Sequence, residues 1–501
     1  MRILRAFLLV VVTLAASAGC AAKVPPATAP AVPTIPPGFL PQQLAESWDR
    51  ERVSWPVPPL VRHADVEARL EEIRSAAPDL FRMEEIGKSV EGRSINHLWF
   101  GRGPYHVLLW SQMHGDEPTA TAALFDVFEQ FRRHRDEPAF ALILDSLTIH
   151  AVPMLNPDGA ERFQRRNAQG IDINRDALRL QTPEGRALKA LRDRLNAPVG
   201  FNLHNQGWRT SAGKTGQPAS ISLLSVAFDE ARTESPGRIL TKQLCALIRE
   251  ALEPLAPGRI ARYEDEFEVR AFGDNLTKWG TNVVLIETGP WPAVEPDPYL
   301  VRLNFVALMT ALDGLATGRV RQADRRRYET LPINETDLFY LLVRNATVIP
   351  GTGVAPFTAD IGIVANRGVR TTDGKRETRL TARIEDLGDL HNMGALESVD
   401  AAGLFVAPLW DQALKTGDVV ELPDFAARRA PRVIAAGEPA ELVILRREGD
   451  RYRVERVIRY EAPGTGRQAP VMQEFGTRDW SVRIYGGGMF RRIPSNQADT
   501  R

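Results

Sequence analysis

Over residues 61–318, short apolar runs of strand length alternate with longer runs whose apolar residues recur at helical spacing, a pattern that few architectures satisfy. His106-Val107-Leu108-Leu109-Trp110 and residues 146–154, 199–203 and 283–286 read as strands. Residues 119–131 and 297–315, Pro236–Leu252 and Pro183–Leu195 read as helices, the last opened by a proline. The expectation is an α/β domain over about 59–320, a mixed sheet flanked by helices. Past Leu331 short β-rich runs take over, among them 338–345 and Tyr452-Arg453-Val454-Glu455-Arg456-Val457, with Gly and Pro between them. That texture predicts a small all-β sandwich over 331–465. Residues 466–501 read as a tail with at most one added strand.

The N-terminus carries an address. Arg2 and Arg5 precede an apolar run at 6–14, and small residues follow, ending in Ser17-Ala18-Gly19-Cys20. This is the layout of a secretory signal, too short to span a bilayer. Its end resembles a bacterial lipobox. The resemblance implies a lipidated Cys20 as mature N-terminus, and an exported, periplasmic or cell-surface lipoprotein anchored to the membrane. The alternative is an ordinary cleaved signal with an incidental cysteine. Residues 21–58 begin with seven prolines between Pro25 and Pro41 and read as an extended linker. No later stretch reads as apolar for as long as a membrane span needs. Cys245, in a helix-like run, reads as a buried filler. Basic and acidic residues balance at 63 each, so no net field favours nucleic acid.

The chemistry-bearing residues sit where strands end. His114-Gly115-Asp116-Glu117 follows the strand ending near Trp110, the position at which open α/β sheets gather ligands. A His and a Glu three apart can converge on one metal from a turn, and zinc takes both donor types. His204, directly after the strand 200–203, is the best third ligand. The remaining histidines, His63, His97, His106, His134, His150 and His391, lack a paired carboxylate in such a context and read as structural or surface residues. Between the ligands lie the turn Asn156-Pro157-Asp158-Gly159 and the arginines Arg162, Arg165 and Arg175, able to polarise a carbonyl or fork onto a carboxylate. Glu287 ends the apolar run 283–286, where a carboxylate needs a role or a partner to offset its desolvation. It is a candidate general base.

In this order the segments from 85 to 289 resemble the M14 family of zinc carboxypeptidases. Ile86-Gly87-Lys88-Ser89-Val90-Glu91-Gly92-Arg93-Ser94-Ile95 looks like that family's opening motif. The resemblance implies one zinc ion held by His114, Glu117 and His204, and Arg165 as the carbonyl-polarising arginine. It implies Asn174 and Arg175 as the grip on a peptide's free C-terminal carboxylate, and Glu287 as the catalytic glutamate. The implied activity is zinc-dependent hydrolysis of C-terminal amide bonds in peptides. Tyr263 is offset from the family's mobile tyrosine, expected near Asp265, and stays outside the catalytic set. Asn275 falls near the specificity-determining position, and Asp176 stands where the digestive enzymes have Asn. Two alternatives remain: a zinc-dependent deacylase of N-acyl amino acids, and an inactive lipoprotein that binds peptides or cell-wall fragments. The stretch from Leu338 to Gly353 and Ala440-Glu441-Leu442-Val443-Ile444-Leu445 resemble amidohydrolase composite domains. No His-x-His follows Val406-Ala407-Pro408-Leu409-Trp410-Asp411, so that unit reads as a docking or structural module. A phosphate loop fails on spacing at Gly207 to Thr215, and no His-Glu-x-x-His exists.

Overall fold

The computed structural model describes residues 38–293, 296–351, 354–425, 433–459, 483–485 and 488–490. The signal region and Cys20 lie outside the described residues. Helices α1 (Pro41–Glu51) and α2 (His63–Ala76) lead into strands β1 (Arg82–Lys88), β2 (Ser94–Gly101) and β3 (Tyr105–Ser111). Helices α3 (Thr119–His134) and α4 (Pro138–Ser146) precede β4 (Leu147–Val152). Then come α5 (Pro157–Arg162), α6 (Pro183–Leu195), β5 (Val199–Asn205), β6 (Thr210–Ala212) and β7 (Ile221–Ser225). Helix α7 (Pro236–Leu252), β8 (Ile260–Arg262), α8 (Phe272–Lys278), β9 (Asn282–Thr288), α9 (Pro296–Thr317) and α10 (Arg326–Glu329) follow.

Eight of these strands form one mixed sheet in the order β1-β2-β4-β3-β5-β9-β7-β8. Strands β4, β3, β5 and β9 run parallel at its centre, and β1, β2 and β7 pair antiparallel at the flanks. The central strands are buried on both faces, so their side chains alternate between two cores. Val107, Leu109, Phe201, Leu203, Val284 and Ile286 pack with α3, α7 and α9 on one face. Leu108, Trp110, Val283 and Leu285 pack with α6 and α8 on the other. The expected helix-flanked mixed sheet is what the chain forms.

Three details differ from the sequence reading. Residues 21–58 are not linker throughout, because α1 folds from Pro41 and buries Leu44, Ala45 and Trp48. Asp126 of α3 holds this segment by accepting the Trp48 indole N–H at 2.6 Å and the Val53 and Ser54 amides at 2.8 Å. Composition signalled prolines but not these long-range partners. Helix α9 is long and apolar enough to cross a membrane, yet 78% of its most apolar window is buried within the fold. It is a core helix. Residues 483–485 and 488–490 pair as two short strands where one at most was expected.

Histidines also structure the sheet. His97 (β2), His150 (β4) and His106 (β3) stack side by side and bond in series. His97 Nδ1 donates to Glu84 Oε1 at 2.9 Å, which leaves its Nε2 to accept from His150 Nδ1 at 3.0 Å. His150 Nε2 then accepts from His106 Nδ1 at 2.9 Å.

Strand β10 (Asn334–Thr336) pairs with β6 and leads into the second region, β11 (Phe339–Val348), β12 (Phe357–Thr372), β13 (Lys375–Gly388), β14 (Ala395–Asp400), β15 (Phe405–Pro408), β16 (Val419–Val420), β17 (Leu442–Glu448) and β18 (Arg451–Ile458). These eight pair along the path β13-β12-β11-β15-β17-β18-β16, with β14 also on β11. Leu341, Ile361, Ile384, Val406, Ile444 and Ile458, drawn from strands far apart on that path, share one core, so the sheet wraps around it as the sandwich reading expects.

Candidate active site

The sheet register builds the site. In the parallel pairs Ser111 stands beside Leu203, and His204 beside Glu287. Phe201, Leu203, Val284 and Ile286 face one core, so alternation turns His204 and Glu287 to the opposite face, at the carboxyl ends of their strands. The β3–α3 loop brings His114 and Glu117 to the same place. It can approach closely because Gly115 lies against the first turn of α5: a Cβ there would sit 2.0 Å from the Gly159 carbonyl carbon. The turn is fixed in its own right. Asn156 caps α5 by accepting from Gly159 N, and the fully buried Asp158 accepts from Ser89 Oγ, Glu91 N and Arg93 Nη1. The Ile86–Ile95 motif is thus a buttress for the ligand loop.

His114, Glu117 and His204 present donor atoms all within 4.8 Å of one another. Glu117 Oε1 lies 2.8 Å from His114 Nδ1, and Oε2 lies 2.7 Å from His204 Nδ1. The two Nδ1 atoms are 3.1 Å apart. Burial alone would lower the His114 pKa, but the Glu117 and Asp172 carboxylates push it up to about 9. Burial lowers that of His204, keeping the ring neutral. Glu117 is driven well below the usual carboxylate range by the two rings, against its own burial.

This donor set fits zinc: two imidazoles and a carboxylate leave a coordination position open. The far nitrogen of His114 is held 3.1 Å from Asp172 Oδ1, the carboxylate support that ligating histidines commonly carry. Asp172 also accepts from Arg165 Nε at 2.9 Å, which fixes the guanidinium with Nη1 3.3 Å from Glu117 Oε1. Asp172 lay unassigned inside the Gly170–Arg175 run, and its role comes from two contacts distant in sequence.

A cavity of about 350 Å³ opens over these residues and is lined also by Asn174, Arg175, Tyr263 and Glu287. Six of the seven site residues read from the sequence line this cleft, and His204 adjoins it through Glu117. Asn174 Oδ1 accepts from Phe272 N at 2.9 Å, and Arg175 Nε lies 3.2 Å from Glu268. Glu287 Oε2 is buried without a hydrogen-bond partner. Burial, reinforced by the Glu117 charge, raises its pKa well above the ordinary value. Tyr263 joins the cleft after all, its phenol pushed up to about 12 by Glu287 and by burial. Its two-residue offset hid it from a count of spacings. Asn275 instead turns inward, donating to the Val269 and Ala271 carbonyls.

Of the other histidines, His97, His106 and His150 form the sheet chain, while His134 and His391 pair with carboxylates away from the cleft. Cys245 is buried and unpaired in the larger core.

Comparison with known proteins finds likeness over part of the chain. Residues 66–220 match the family model for zinc carboxypeptidase, Peptidase_M14. Carboxypeptidase E of Caenorhabditis elegans is 33% identical over 134 residues, 23% of this chain and 28% of that protein. The carboxypeptidase N catalytic chain of Rattus norvegicus is 29% identical over 177 residues, 30% of this chain and 37% of that one. The chain thus spans about a third of the length of these relatives. Among solved structures, a metallo-carboxypeptidase from Burkholderia cenocepacia aligns over 50% of this chain and 68% of its own, at 18% identity and TM-score 0.40. Carboxypeptidase A from Helicoverpa armigera aligns over 58% and 80%, at 16% identity and TM-score 0.41. Over residues 66–220 this chain is similar to the zinc carboxypeptidases.

Proposed function

We propose that this protein is a zinc metallocarboxypeptidase that removes C-terminal residues from peptides. The observation that carries the reading is the meeting of His114, Glu117 and His204 with the unpartnered Glu287 carboxylate in the cleft that Arg175 also lines. Zinc held by His114, Glu117 and His204 would supply Lewis acidity and lower the pKa of a water there. Glu287, whose pKa burial and the Glu117 charge raise, takes the proton of the attacking water and passes it to the departing amine. Arg165, tied down by Asp172, holds positive charge where the carbonyl oxygen becomes an oxyanion, a contribution of about 3–4 kcal/mol per donor in comparable sites. Arg175 exchanges its Glu268 contact for the substrate's terminal carboxylate, which makes the activity exopeptidic.

Glu264, Glu266 and Glu268 line the same cavity as Arg175, so their negative charge favours a cationic side chain on the released residue. Export and anchoring through Cys20 remain part of the proposal, supported by the sequence pattern of residues 1–20. The test is mass-spectrometric profiling of products from a peptide library, with and without chelator, using the wild type and Glu287→Gln. Metal-dependent loss of single C-terminal residues, Lys and Arg foremost, is expected. Glu287→Gln should retain zinc and lose about 10²- to 10⁴-fold in turnover. Internal cleavage, or turnover undiminished in that variant, would sink the reading.

A further inference from the structure

The second region contacts the helix-flanked domain at three separate places. The loop that follows His204 is clamped to it: Asn334 Nδ2 donates to Gln206 Oε1 at 3.1 Å, Arg209 Nη1 lies 2.9 Å from Glu385 Oε1, and Trp208 meets Tyr340 edge to face. The long β12–β13 hairpin extends over the catalytic domain, and Arg376 near its turn donates to the carbonyls of Val61 and Ala160. Ala160 belongs to α5, whose N-terminal turn supports the ligand loop. Midway along the hairpin, Arg367 forks onto Asp297 at the start of α9 with two bonds of 2.7 Å, both side chains less than a tenth exposed.

Beside the first cavity lies a second, of about 310 Å³, walled by Phe163, Trp208 and, from the hairpin, Asn366 and Arg367. Glu117 and Arg165 line both cavities, whereas Asn174 and Arg175 line only the first. A peptide whose carboxylate sits on Arg175 and whose scissile carbonyl sits at Arg165 has one remaining direction for its other end. That direction is the second chamber. Its volume is at the low end for a small-ligand site, enough for a short peptide portion.

We propose that the chamber between the catalytic domain and the β12–β13 hairpin receives the amine-side portion of the substrate, so that the C-terminal β domain completes the site and restricts it to short peptides. The inference rests on the carboxypeptidase reading for the identity of the ligand. The buried Arg367–Asp297 pair holds the wall in place, and its doubled geometry leaves neither charge uncompensated. Asn366 is exposed, so a larger side chain there fills the chamber without disturbing a core.

The experiment uses the zinc-loaded full chain and a ladder of acetylated peptides ending in arginine, from dipeptide to heptapeptide, with an intact folded protein of the same C-terminus. Two quantities are read: kcat/KM for the wild type and Asn366→Trp, and binding of each peptide by calorimetry to Glu287→Gln with and without Asn366→Trp. Affinity and kcat/KM should rise about tenfold, or roughly 1.4 kcal/mol, from dipeptide to tetrapeptide and then stop rising. The folded protein should be trimmed poorly. In Asn366→Trp the tetrapeptide-to-dipeptide ratio should collapse toward one, whereas a merely structural disturbance lowers both and leaves the ratio intact. An unchanged ratio, or a folded protein trimmed as fast as the tetrapeptide, overturns the chamber. Failure of the wild type to cleave any peptide would overturn the carboxypeptidase reading instead, and the binding ratios would still decide the chamber.

Discussion

Acidification from pH 7 to pH 5 should destabilise the α/β domain through His150. This ring is 4% exposed, between His97 and His106, and burial, reinforced by the two flanking rings, lowers its pKa to about 3 from 6.5. The sign follows from proton counting. Below pH 6.5 the unfolded chain binds a proton that the folded ring refuses, so stability is complete above that value and is lost as pH falls towards 3. At pH 5 the gap from 6.5 is about 1.5 units, or about 2 kcal/mol at 1.36 kcal/mol per unit. Burial lowers His97 in the same direction, which adds to the loss. Mass-spectrometric exchange of histidine C2–H, followed against pH, reads each ring separately in the intact protein. The His150 midpoint should fall below 5. Thermal unfolding of the wild type and His150→Gln at both pH values gives the second reading: the variant should be weaker at pH 7, from its broken chain, yet lose less on acidification. A His150 midpoint near 6.5, or equal acid losses in the two proteins, would refute the argument.

Asp172→Asn should weaken zinc affinity about 10- to 100-fold by releasing the far side of His114, as measured by chelator competition; unchanged affinity would remove Asp172 from that role. Zinc uptake by the metal-free protein at pH 7 should release about one proton, because His114, at about 9, is protonated there and must lose its proton to become a ligand. Calorimetry in buffers of different ionisation enthalpy reads that number, and a value of zero would contradict the geometry. Arg175→Ala should raise KM for peptides with a free carboxylate far more than for amidated ones, and a uniform change would argue against its grip on the terminus.

The candidate ligands were legible because they follow apolar strands, His114 and Glu117 in the loop after β3 and His204 near the end of β5. A strand end is visible in one dimension, and a polar group placed there must serve a site or find a partner. Asp172 was not legible in the same way: its neighbours Ile171 and Ile173 gave no sign that its two oxygens divide between His114 and Arg165. Tyr263 was passed over because a two-residue shift changes a spacing, although the loop after β8 can absorb it. The three sheet histidines looked unremarkable singly, since only the pairing of β2 and β3 on either side of β4 sets them in a row.

Periodicity and residue type, which act over a few neighbours, were enough to indicate the strands, most helices and the chemical identity of the candidate metal ligands. Which faces those strands show, how the ligand loop leans on the Asn156–Gly159 turn, and where the β12–β13 hairpin lies were decided only when distant segments packed together. The reason is that a buried charge or hydrogen-bonding group takes its meaning from partners supplied by other parts of the chain. Asp297 reads as one more acid in the sequence, and comes to line the second cavity with Arg367 folded against it only in the tertiary structure.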